Sequence, residues 1–214
     1  MGANDWFRNA TWSPSVRTAF FERLNRSRGA FHKAQYARIQ ALHLEEASTG
    51  EMYLAAIELL DLIQEKWWGE AGHATVYHQY ARCHEGLGNI ERAIKFYRRT
   101  FDAQREFPGV QTMAHMDFGW LVIRGNWEDL FDEASGLIDE FGLSIFPKTQ
   151  YQGSAVKAVI LDSKGQKQAA KKWAEAALEA AAATQSGLTY HQKLGLVEST
   201  DDGLYAKLKR IAAD

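Results

Sequence analysis

Four glycines separated by nearly equal steps constrain this chain more than any other feature. Gly50, Gly88, Gly125 and Gly165 follow one another at intervals of 38, 37 and 40 residues, and each interrupts a run of residues with helical periodicity. A period of that size with two helices per unit describes a hairpin that cannot bury its apolar face alone and must lean on its neighbours. The expectation is an all-α chain of stacked hairpins with a polar cover at each end.

The residues between the glycines agree. Only three prolines occur in 214 residues, and the 46% hydrophobic content is enough for a sizeable core. Ser13 can cap a first helix with Pro14 in its first turn, and Val16, Phe20, Phe21 and Leu24 share one face of it. The pattern predicts an N-terminal aromatic segment and capping helix over 1–31, then four hairpins at about 32–68, 73–107, 110–142 and 150–184. Residues 185–214 form a tail with a short helix from about Asp201 to Ala213, capped by Thr200 or Asp201. The lone Cys83 excludes an internal disulfide, and no run approaches the ~18 apolar residues of a membrane span. Together with the start "MGANDW", which lacks a leader's apolar stretch, this leads to a cytoplasmic expectation. A formal net charge of −2 gives no reason to expect nucleic acid or an anionic membrane as the main partner.

Hairpin two carries residues that resemble the tetratricopeptide repeat family. Tyr77 falls at the family's first aromatic, Ala81 at the small residue where helices approach, Gly88 at the turn, and Ala93, Ile94 and Tyr97 in the second helix. Thr100 stands where alanine is usual, and Pro108 comes three residues late. Hairpin four is similar through Ala158, Leu161, Gly165, Ala170, Ala174 and Ala177, and hairpin one through Gly50, Ala56, Ile57 and Leu60. Hairpin three departs most, because Leu130 takes a small-residue position and implies wider or shifted packing. The segments "DWFRNATW" and "RLNRSRGAFHKAQYARIQA" also look like the start of bacterial repeat proteins, a likeness that carries no function. The family resemblance spans about residues 32–184 and implies a right-handed α-solenoid whose concave groove is lined by the first helix of each hairpin. Carried through the turn glycines, the family's groove positions fall on Gln40, Thr75, His78, Arg82, Thr112, His115, Gln152 and Ala155.

Other chemistry is sparse. "GLGNIER" follows a helix and lacks both the P-loop and G-x-G-x-x-G patterns, so it reads as a turn and not as a phosphate cradle. None of the seven histidines forms H-E-x-x-H, and the adjacent Cys83 and His84 point to different faces of a helix, so no metal site or cofactor is expected. Cys83 reads as a small buried group, and Trp6 and Trp12 either pack back over the first hairpin or offer an exposed anchor.

These readings lead to a non-enzymatic adaptor that binds a protein or peptide in its groove, with Arg82 and His78 favouring an acidic segment or a chain terminus. Roles as a regulator, chaperone or toxin-neutralising protein fit such an adaptor. Two alternatives stay open. One is an enzyme or small-molecule receptor with a pocket between hairpins two and three, around His78, Arg82, Glu85, His115 and Asp117, and the other is a self-assembling structural module.

Overall fold

The computed structural model describes residues 5–70 and 72–214. Its described residues contain ten α-helices and no strand, and the chain divides after Ala114 into two compact units.

In the first unit, α1 (Pro14–Arg26) starts as its sequence requires: the Ser13 hydroxyl accepts the Val16 N–H at 3.3 Å, and Pro14 occupies the first turn. Two hairpins follow, α2 (Ala30–Glu46) with α3 (Gly50–Lys66), and α4 (His73–Gly86) with α5 (Ile90–Glu106). α4 packs against both helices of the preceding hairpin. The core between them is made of Ala37, Ala41, Leu44, Ala56, Leu59, Leu60, Ile63, Val76 and Cys83, all fully buried. Small residues on α2 let the helix axes approach, and the leucines of α3 fill the space that remains. Thr100, where alanine was the expected residue, is also fully buried; its hydroxyl donates to the Phe96 carbonyl at 2.9 Å, which removes the penalty of burying it.

The second unit opens with α6, whose range Ala114–Arg124 begins at the division. A single 3-10 turn at Glu128–Leu130 precedes α7 (Phe131–Phe141), so Leu130 lies ahead of the helix and not within it. α8 (Pro147–Ser163) and α9 (Lys167–Ala182) form a close hairpin along the line of Ala170, Ala174 and Ala177, all fully buried. α10 (Asp202–Ala213) lies on α9 and α8 and is capped by Asp201, whose Oδ1 accepts the Leu204 N–H at 3.0 Å. The tail returns to the start of α8, where the Gly195 carbonyl accepts the Lys148 N–H at 2.8 Å and so satisfies one of that helix's unpaired donors.

The turns correct one sequence expectation. Gly88 and Gly165 have φ values of +73°, but Gly50 is already the first residue of α3, and the left-handed residue of the first hairpin is Ser48 (φ 55°). In the third hairpin it is Asn126 (φ 50°) and not Gly125. The repeating element is therefore a left-handed position at 48, 88, 126 and 165, spaced by 40, 38 and 39 residues. Each is followed by one N-cap residue, Thr49, Asn89, Trp127 or Gln166, and then by helical backbone. In three turns the N-cap N–H reaches back across the end of the preceding helix: Asn89 to the His84 carbonyl at 2.8 Å, Trp127 to Val122 at 3.0 Å and Gln166 to Leu161 at 2.9 Å. This is the six-to-one bond of a Schellman ending, which a left-handed residue makes possible.

Candidate peptide-binding surface

The expected groove residues do not share one environment. α4 carries three of them. Thr75 is half-buried and donates its hydroxyl to the Gly72 carbonyl at 2.7 Å, which fastens the first turn of the helix. His78, one turn on, is half-buried with its ring centroid 6.0 Å from that of Tyr97. Arg82 follows after one more turn with its side chain 43% exposed. The spacing i, i+3, i+7 places all three along one stripe of α4.

Arg82 is held by a residue that the sequence reading missed. Its Nε lies 2.6 Å from Oε1 of Glu45, whose side chain is 2% exposed. Glu45 falls four residues after Ala41 on the apolar stripe of α2, and a carboxylate on such a stripe signals a buried partner. The pair joins the first hairpin to the second, as does Gln79, which donates to the Arg38 carbonyl at 3.2 Å. Beneath Arg82, Cys83 is fully buried, and that burial, reinforced by the Glu45 carboxylate, pushes its thiol far above the ordinary range. It is a packing group at any physiological pH.

Gln40, Thr112 and His115 are buried. Gln40 is completely enclosed, with its side-chain amide closed on the N-terminal segment. The Asn9 N–H donates to Gln40 Oε1 at 3.0 Å, Asn9 Nδ2 donates to the same oxygen at 2.8 Å, and Gln40 Nε2 donates to the Asn9 carbonyl at 2.7 Å. Thr112 organises the turn after α5: its hydroxyl donates to Gln104 Oε1 at 2.6 Å and accepts the Ala114 N–H at 3.2 Å. In the second unit, His115 bonds through Nε2 to the Gly142 carbonyl at 2.9 Å. Gln152 is half-buried on α8, and Ala155 is fully buried one turn later. The α8 stripe thus contains mainly packing residues.

The aromatic segment ahead of α1 packs inward. Phe7 and Trp12 are buried, and Trp6 lies 5.0 Å from Tyr36 and 5.5 Å from Phe20, centroid to centroid. The groups considered for an enzymatic pocket divide between the units, with His78, Arg82 and Glu85 in the first and His115 and Asp117 in the second. Glu85 accepts the Tyr97 hydroxyl at 2.7 Å. Among the described residues no three His, Cys, Asp or Glu side chains converge as metal ligands, and no helix is long and apolar enough to cross a membrane.

The tetratricopeptide repeat family model matches two stretches, residues 74–106 and 154–184. These coincide with α4–α5 and α8–α9, the two hairpins whose turns carry a left-handed glycine. No curated protein and no solved structure matches the chain significantly.

Proposed function

From a chain that carries tetratricopeptide-type repeats in its second and fourth hairpins, we propose an adaptor that binds another protein, with α4 as the contact surface in the first unit. Repeats of this type generally mediate protein–protein interaction and are typically non-enzymatic scaffolds. The observation that carries the proposal is the half-exposed Arg82, held at a fixed position by a buried carboxylate and preceded on the same stripe by His78. Glu45 balances the charge of this guanidinium while fixing its direction, and an acidic peptide or a chain terminus is the ligand that suits its oriented N–H groups.

The test is capture of partners from native lysate by the wild-type chain, by His78→Ala and by Glu45→Met/Arg82→Met. The double variant removes both members of the ion pair, because Arg82→Ala alone would leave a buried carboxylate without its partner and confuse binding with unfolding. Loss of a captured acidic protein in both folded variants supports the reading. Undiminished capture in both removes α4 from the binding surface.

A further inference from the structure

We infer that residues 6–12 are an intramolecular ligand, seated on a recognition site that α1 and α2 form for an irregular segment that opens with a turn and carries aromatic anchors. The site is closed in cis and opened when a partner segment of the same chemistry displaces the chain's own. The inference stands apart from the α4 surface and uses only Gln40, which that reading loses to burial.

The grip on Asn9 has the form of peptide recognition. A fully buried side-chain amide takes both the N–H and the C=O of a single residue in irregular backbone, at 3.0 and 2.7 Å. That pairing reads main chain, the Asn9 side chain adds a third bond from Nδ2 to the same Gln40 oxygen, and together they fix the direction and register of the segment. Specificity comes from the flanking rings. Trp6 and Phe7 both meet Tyr36, at 5.0 and 4.7 Å, while Trp12 lies against Phe20 and Phe21 at 5.4 and 6.2 Å. The partner segment is therefore one with an aromatic pair two to three residues before the gripped residue and a third aromatic three residues after it.

Phe7 and Trp12 belong to the core of the first unit, with Trp6 packed against it, and three further observations set the segment apart within that core. A pocket of about 280 Å³ stays open beside the segment, lined by Trp6, Asn9, Val16, Ala19, Phe20 and Arg23. The Trp12 indole N–H is buried without an acceptor, so the segment is incompletely satisfied where it sits. The capped start of α1 at Ser13 and Pro14 lets the residues before it leave without unwinding a helical turn.

The experiment uses the full chain and a fluorescein-labelled peptide of residues 5–13, followed by fluorescence polarisation. The wild type, with its site filled, is expected not to bind the peptide. Trp6→Ala/Asn9→Pro, which removes one anchor and the gripped N–H, is expected to bind it saturably, and adding Gln40→Ala to that chain should weaken binding at least about tenfold. A folded Trp6→Ala/Asn9→Pro chain that ignores the peptide overturns the proposal, as does binding that survives Gln40→Ala. Hydrogen exchange on the wild type decides the matter if the variant fails to fold. Exchange of the Asn9 amide faster than that of Ala37 and Ala41 on α2 supports a detachable segment, and exchange at their common rate overturns it.

Discussion

His84 shows how one side chain can set the chain's response to pH. It is buried, stacked on Phe96 at 5.4 Å and 11°, and its Nδ1 has no hydrogen-bond partner. Burial first, and the nearby Arg92 cation second, hold the imidazole below its usual 6.5, with Asp61 acting weakly the other way. The sign follows from the two states. Above about pH 6.5 the ring is neutral whether the chain is folded or unfolded, and its contribution is fully present. As pH falls below that value the unfolded chain takes up a proton that the folded chain resists, so stability declines until the folded-state value is passed. Urea unfolding between pH 8 and pH 5 should show this decline in the wild type and a flatter profile in His84→Phe, which keeps the stacking; superimposable profiles would remove His84 as the cause. A second ion pair, buried on its lysine side and exposed on its aspartate side, makes a separate test. Lys157, with a side chain 7% exposed, donates to Ser135 Oγ at 2.9 Å and to Asp139 Oδ2 at 2.5 Å. Asp139→Ala should cost about 1–3 kcal/mol by leaving the ammonium buried with one partner fewer, and Lys157→Met should cost less, as read from denaturant midpoints.

At the scale of the element, the turn is the unit that repeats, and its requirement is a backbone conformation. Glycine meets that requirement at 88 and 165, whereas Ser48 and Asn126 meet it at a steric cost. Ser48→Gly should therefore stabilise the first hairpin by up to about 1 kcal/mol, and Gly88→Ala should destabilise the second by about the same amount. Gly50→Ala is the discriminating substitution. It sits in the first turn of α3, where a new Cβ would come no closer than 4.0 Å to Leu87, so thermal unfolding should be unchanged or slightly raised. A loss as large as that of Gly88→Ala would return the turn to Gly50. Gly195 belongs to another class: its φ is +71° and an added Cβ would stand 2.7 Å from the Cβ of Phe146. Gly195→Ala should cost about 1–3 kcal/mol and release the cap on α8, visible as faster exchange of the Lys148 amide.

For the molecule as a whole, the formal net charge of −2 supplies no long-range attraction for an acidic partner, so any such attraction must be local to α4. Raising salt from about 0.05 to about 0.5 M should then weaken capture of an acidic partner by wild-type protein. Binding of the residue 5–13 peptide to the Trp6→Ala/Asn9→Pro chain should respond much less, because its anchors are aromatic rings and amide hydrogen bonds. Equal salt dependence of the two would contradict the assignment of different chemistries to α4 and to the α1–α2 site.

Periodicity, helix-forming composition and the Ser13–Pro14 start were enough to establish an all-α repeat chain, because they report local backbone preferences and the spacing of apolar faces. Tertiary structure alone decided the rest. Whether Gln40 faces solvent depends on where residues 6–12 settle, and no local rule links Asn9 to a side chain 31 positions away. Glu45, a carboxylate on the apolar stripe of α2, signals a buried partner, but only tertiary structure brings Arg82 of α4 to within 2.6 Å of it. The left-handed residue of each turn was legible where glycine filled it and masked at Ser48 and Asn126, where the nearby Gly50 and Gly125 carry the stronger compositional signal. Sequence thus determined the helices and their period, while tertiary packing decided which polar side chains are available to a partner, because burial depends on contacts between residues far apart in the chain.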